Sequence, residues 1–247
     1  MEFRTKNYYQ VKTKVKYKHI NISDSTETKF WGLINDETLS WNQHVDQRAT
    51  KLCSTCFALR NLKHTVLLSS LRTIYYAYIH SIPSYGVIFW GRSSNVTKLF
   101  ILHKRTVRII TNTGVRESCR EAFKNTEIMM FYSQYIFSLI LFAVKNKRLF
   151  TSNKDIHIHK IRNYTNLHLP TVNFTKFYNG SYILGYKAYN HLPPYIKTNA
   201  YSPQIRIYIY TKSGTTQIYI YQLLISPNSI KDLTYWVIKP IITFHQI

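Results

Sequence analysis

Every compact form of this chain must carry 33 lysines and arginines against 11 aspartates and glutamates, a formal net charge of +22. A surplus of that size repels itself unless an anionic partner screens it. It therefore restricts the chain to folds that collect apolar residues inside and hold cations on a broad outer surface. The core material is present, because 45% of the 247 residues are hydrophobic, and the length suits one large domain or two small ones. The candidate partners for such a surface are nucleic acid and an anionic membrane. Basic residues spread through folded-looking segments and mixed with 15% aromatic residues favour nucleic acid.

The apolar periodicity points to a mainly α chain. Val11 to Lys18 alternates strictly, a strand pattern with Lys12, Lys14, Lys16 and Lys18 on one face, either tracking a phosphate backbone or guarding a sheet edge. A second short strand is expected near Lys29 to Ile34. After Trp41, the spacing of Val45, Ala49, Leu52, Cys56 and Leu59 is that of an amphipathic helix. Leu67 to His80 reads as a helix ending before Pro83, and Tyr85 to Gly91 as a compact aromatic turn. The clearest helix is Val96 to Thr113. Its apolar stripe is Val96, Leu99, Leu102, Thr106 and Ile110, with Lys98, Lys104, Arg105 and Arg108 mostly off that stripe and Gly114 placed as a C-cap.

A short helix around Glu117 to Lys124 comes next, with Glu117 and Glu121 set to pair with Arg116 and Arg120. Ile128 to Val144 is apolar enough to suggest a membrane span, but it is short and contains Ser133, Gln134 and Ser138. A buried or amphipathic helix explains it equally well, and a membrane partner is not expected. From 151 to 200 the pattern is loop-rich, with Pro170, Gly180, Gly185 and Pro193-Pro194 as breakers. The Tyr/Ile tail alternates around Lys212-Ser213-Gly214 and suits a β-hairpin. The expected divisions are 1–40 (strands), 41–150 (helical), 151–200 (loop-rich) and 201–247 (low complexity).

Chemistry is sparse. Asp24, Asp36, Asp46, Asp155 and Asp232 include no adjacent pair of the kind that holds two metal ions for phosphoryl transfer. Cys53 and Cys56 have the spacing of half a zinc site but lack a second pair, and His157 and His159 are no stronger, so no metal site is expected. Three cysteines imply a reducing compartment, and Met1 to Gln10 has no apolar signal region, so the expected location is nuclear or cytoplasmic, not secreted. The stretch from Gly91 to Lys124 stands out, with eight Lys/Arg against two acids. Helix-borne cations in that density suit phosphate contacts.

A series of landmarks then resembles the reverse transcriptases of non-LTR (LINE-type) retrotransposons. Lys29 to His44, KFWGLINDETLSWNQH, resembles their K-F-L-G-x-x-x-D-x-x-L-x-W-x-x-H segment. Ser84 to Gly91 is similar to Y-G-x-x-x-W-G, and Ile101 to Ile110, ILHKRTVRII, to L-Q-K-R-A-x-R-x-I with His103 in place of Gln. His159 to Asn163 resembles H-x-x-x-T-R-N, and Gly185 to Lys197 resembles G-x-K-x-Y-N-x-L-P-x-x-I-K. The resemblance runs over about two-thirds of the chain. It implies a palm-end strand segment, a thumb-like helical bundle and a post-thumb region of an RNA-directed DNA polymerase, held as a non-catalytic fragment of a transposable element. The family's paired catalytic aspartates, with the magnesium they bind, would belong to preceding regions, so no cofactor is expected here.

Carried over by motif, Lys104, Arg105, Arg108 and Arg162 are the candidate contacts to RNA template, DNA primer or their hybrid, with Arg60 and Arg72 as further candidates. Trp41, Tyr85, Trp90 and Tyr189 are assigned to packing. No small-molecule substrate is expected. The alternatives are a membrane-associated protein anchored by residues 128–144 and a pseudogene product without function.

Overall fold

The computed structural model describes residues 1, 3, 14–159, 164–169, 180–192 and 197, and the strand backbone within 205–212, 215–222 and 242–245. The fold is mainly helical, with two short antiparallel strand pairs near the start. It divides into two compact units, Met1–Ala122 and Phe123–Ile247. The division falls inside the stretch 41–150 that the sequence suggests as one helical domain.

In the first unit, β1 (Val15–Tyr17) pairs with β2 (Ile20–Ile22), and both are exposed along their length. Lys14, Lys16 and Lys18 of the alternating row lie here, while Lys12 is outside the described residues. The strand expected over Lys29 to Ile34 is instead a hairpin, β3 (Glu27–Phe30) against β4 (Leu33–Asp36). Trp31 and Gly32, with φ of 48° and 75°, make the two-residue turn. Two positive φ values match the twist of the flanking strands, which is why the chain reverses there.

Helix α1 (Asn42–Leu62) buries His44, Val45, Leu52, Cys56 and Leu59, close to the expected stripe. Asp36 ties the end of β4 to the start of α1. Its carboxylate accepts hydrogen bonds from Thr38 Oγ1 at 2.6 Å and from the Ser40 and Trp41 backbone N–H groups at 3.0 Å each. Partial burial works against the charge, but these bonds outweigh it and lower the Asp36 pKa to about 2.

Helix α2 (Leu68–Ile74) passes through a π-helical turn at Tyr75–His80 into α3 (Ser81–Ser84). The helix therefore does not stop before Pro83. Pro83 falls in α3 directly after the π-helical turn, where the hydrogen-bond ladder changes register. The aromatic turn contains α4 (Val87–Trp90). Gly86, at φ +63°, begins it, and a Cβ there would lie 2.8 Å from Leu33 Cδ2. Trp90 is fully buried and donates from Nε1 to the Tyr85 carbonyl at 2.9 Å.

Helix α5 (Val96–Thr111) ends at Asn112, whose φ of 55° makes it the left-handed cap expected of Gly114. Helix α6 (Cys119–Thr126) starts later than expected, leaving Arg116 and Glu117 ahead of it. No ion pair joins Glu117 or Glu121 to Arg116 or Arg120 among the described residues.

In the second unit, α7 (Phe131–Lys145) places Ile140, Ala143 and Val144 in a core shared with α9 (Ser181–Asn190), after the short capped α8 (Asn153–Ile156). Gly185 does not break the chain. It sits mid-helix on the side of α9 that faces α7, where a Cβ would meet the Leu139 carbonyl and Ala143 Cβ at ordinary contact distance, 3.6 and 3.7 Å. The Asn190 amide clamps Leu167, accepting its N–H at 2.7 Å and donating to its carbonyl at 2.8 Å. Lys197 Nζ is buried, bonded to Asn166 Oδ1 at 2.6 Å and the Asn190 carbonyl at 2.9 Å.

No single helix among the described residues is long and apolar enough to cross a membrane. The pair α6 and α7 together reach that length but are bent by 50°. In the tail, β5 (Ile205–Lys212) and β6 (Thr215–Gln222) form the expected hairpin, and β7 (Ile242–His245) adds beside β6.

Candidate nucleic-acid interface

Helices α1 and α5 run parallel and are fixed to each other at three levels. Near their start, Asp46 on α1 accepts from Lys98 Nζ at 2.7 Å and from Asn95 Nδ2 at 3.3 Å. In the middle, Cys56 Sγ lies 2.9 Å from Thr106 Oγ1. At the far end, Lys63 Nζ donates to Asn112 Oδ1 at 3.1 Å. The first and last of these cross the seam on its solvent side. From residue 46 to residue 63 a helical rise gives roughly 25 Å of surface.

Between the two bridges lie the cations. Burial pushes the Cys56 thiol pKa up, while the Arg105 and Arg60 guanidiniums pull it down, which places both side chains within electrostatic reach of one buried sulfur. Arg60 lies one turn beyond Cys56 on α1, and Arg105 precedes Thr106, the partner of Cys56, on α5, so both stand at the same level of the helix pair. Neither makes a hydrogen bond or ion pair among the described residues. Lys104 and Arg108 continue the charged surface around α5, one turn apart. Lys104 Nζ sits 4.5 Å from the centre of the Phe100 ring, and Arg108 Nη2 donates to the Glu117 carbonyl at 3.0 Å. Asp46, already engaged by Lys98, is the single carboxylate in α1 and α5. Within α1 and α5 the seam thus presents positive charge with no free carboxylate, and Glu117 adjoins it at Arg108.

Arg72, on α2, stands apart from this group, with its guanidinium 6.0 Å from the Tyr76 ring centre. Arg162 lies outside the described residues. The inward side of α5 is different in kind. His103 and Tyr75 are buried and bonded to each other, Nε2 to hydroxyl, at 2.7 Å, with their rings stacked. Burial lowers the His103 pKa to about 3, so the ring is neutral, and His80 nearby adds to the shift. The departure from Gln at this position is thus a core substitution, away from the charged surface.

Sequence reasoning missed Arg48. Its Nε reaches His44 Nε2 at 3.2 Å, its Nη2 donates to the Gly32 carbonyl at 3.2 Å, and its guanidinium lies 5.6 Å from the Tyr85 ring centre. The i, i+4 spacing from His44 was the available signal. Burial lowers the His44 pKa to about 4, with Arg48 and Lys51 adding to the shift. The neutral ring has one acceptor nitrogen, so Arg48 and the Ile34 N–H, 3.2 Å from Nδ1, compete for it. Arg48 is a fastener between α1 and the β3–β4 turn. Of the residues assigned to packing, Trp90 and Tyr189 are buried, but Tyr85 is half exposed, with its hydroxyl bonded to the Trp31 carbonyl. Cys53 is exposed and does not share the buried position of Cys56.

The carboxylates do not fit a polymerase metal pair. Asp36 is held by Thr38, Ser40 and Trp41, Asp46 by Lys98 and Asn95, and Asp155 by a capping box with Ser152. Asp24 is 3.7 Å from the Met1 ammonium, and Asp232 is outside the described residues. No group of three or more His, Cys, Asp or Glu side chains gathers to hold a metal among the described residues. Compared with family models, with curated proteins and with solved structures, the chain matches none.

Proposed function

We propose that this chain grips nucleic acid by charge and shape, in the manner of the thumb and post-thumb region of a non-LTR retrotransposon reverse transcriptase, without catalysing polymerisation itself. The observation that carries this reading is the cationic seam between α1 and α5, whose single carboxylate, Asp46, is paired. Arg60 and Arg105 flank the Cys56–Thr106 contact, Lys104 and Arg108 extend their surface, and the one carboxylate within α1 and α5 is occupied. One strand of a duplex, with a phosphate per about 3.4 Å of helix axis, would place some seven charges along roughly 25 Å of seam. Contacts of this kind give affinity and register but little sequence preference. The partners are an RNA template, a DNA primer or their hybrid, and the resemblance favours a nuclear location. The membrane alternative gains nothing from α7, whose apolar residues are used in the core of the second unit.

The test is a titration of the full chain with a labelled RNA–DNA hybrid across a salt series. Contact with about 6–10 phosphates lowers affinity by about 10³–10⁵ between 50 and 200 mM salt. Changing Lys104, Arg105 and Arg108 together to Gln should flatten the salt slope by about two to three units for every sequence tried. An affinity that ignores salt, or a triple variant indistinguishable from the parent, overturns the reading.

A further inference from the structure

Helix α1 also carries, beside the seam cation Arg60, an aromatic ring that packing does not explain. Phe57 lies on α1 and is 67% exposed, although it has no polar atom to solvate. Its neighbours on that helix face are Cys53, one turn before, and Arg60, one turn after. Arg60 shares the buried Cys56 with Arg105 of α5. Among the described residues no ring or cation pairs with Phe57. Several rings of this unit are engaged, Trp41 with Phe89, Tyr75 with His103, and Phe100 under Lys104, while Tyr78, also exposed, lies on the separate π-helical turn rather than on α1 or α5.

We propose that Phe57 is a stacking platform for an unpaired nucleobase, so that the α1/α5 seam takes single-stranded RNA or DNA. This rests on the nucleic-acid reading above and names the form of strand it serves. The occupant follows from charge and shape together. An apolar protein partner would have to bury Arg60 and Arg105 unpaired, which is costly. A nucleotide strand brings a phosphate for each cation and a π face for the ring. A duplex cannot use the ring in the same way, because its base faces are already covered by their neighbours.

Base–aromatic stacking of this type is worth roughly 5- to 150-fold in affinity per base, as judged by alanine substitution. The experiment uses the full chain and three labelled ligands of equal length: an oligouridylate, an abasic single strand and an RNA–DNA duplex. Phe57→Ala should weaken the oligouridylate about tenfold, leave the abasic strand and the duplex unchanged, and keep the thermal midpoint. Phe57→Trp should hold or raise affinity, and Phe57→Leu, apolar but without a π face, should behave like Phe57→Ala. Equal weakening on the abasic strand would show that the ring acts through structure and would overturn the proposal. So would unchanged oligouridylate binding in both Phe57→Ala and Phe57→Leu. If the Lys104/Arg105/Arg108 triple Gln variant still loses affinity in that case, the charged interface stands and the stacking site falls. If the triple variant also binds as the parent does, both fall.

Discussion

The two sides of α5 carry polar residues with opposite fates. Facing inward, His103 is wholly enclosed beside Tyr75 and held neutral. Facing outward, Lys98, Lys104 and Arg105 reach solvent, with Arg108 half-buried at their edge, and Asp46, the one carboxylate of α1 and α5, is already engaged. Helical periodicity separates the two sets, and burial then decides whether a titratable group becomes part of the core or a charge offered to a partner. The same division appears in the second unit, where Lys197 is buried and bonded within the protein rather than presented. A lysine count therefore overstates the surface available for binding.

The contrast between the two sides can be tested from the largest effect down. Leu99→Ala on the inward side removes a fully buried side chain and should cost about 2–5 kcal/mol by chemical denaturation, because the cavity collapses only in part. A cost near zero would mean that the α1/α5 packing is not as described. His103→Gln keeps a hydrogen-bonding partner for Tyr75 but cannot take up a proton. The His103 pKa is lower when folded, about 3, than when unfolded, near 6.5, so the unfolded chain binds more protons below pH 6.5. Stability is thus lost as pH falls from 6.5 toward 3, by about 2 kcal/mol at pH 5. The Gln variant should lack that contribution in an acid denaturation series, and an unaltered acid limb would assign it elsewhere.

Asp36 acts in the same direction at lower pH. Its stabilising effect is present above pH 3.8 and lost toward pH 2, and its partial exposure limits this to about 1 kcal/mol after screening. Asp36→Asn should remove that last part of the acid transition. Smallest of all, Lys98→Ala should cost no more than about 1 kcal/mol, since its pair with Asp46 is exposed. The Lys104/Arg105/Arg108 triple Gln variant should shift stability by less than about 0.5 kcal/mol at Lys104 and Arg105 and by about 1 kcal/mol at Arg108, which loses its bond to the Glu117 carbonyl, while affinity falls steeply. A triple variant that unfolds would show that the outward residues are structural and would remove the contrast.

Much of α1 and α5 was legible because a 3.6-residue stripe survives any tertiary arrangement. Val45, Leu52, Cys56 and Leu59 are buried as their spacing requires, as are Leu99, Leu102, Thr106 and Ile110. The Trp31-Gly32 reversal was hidden inside an alternating run, because a two-residue turn leaves little trace in hydrophobic pattern. Gly185 was misleading for a different reason. A glycine reads as a breaker on local pattern, whereas packing of α9 on α7 holds this one inside a helix. The candidate site was half visible. Charge density on α5 marked Lys104, Arg105 and Arg108, but nothing in the order of residues joins Arg60 to Arg105.

The sequence alone determined that this protein is mainly helical, that α5 is two-sided, and that positive charge dominates its surface, because these follow from local periodicity and composition. Tertiary structure alone decided which cations remain outward. Pairing α1 with α5 sets Asp46 against Lys98 and brings Arg60 and Arg105 to one buried sulfur, and it leaves Phe57 at the surface beside them. Those are contacts between residues about fifty positions apart, and no local pattern encodes them.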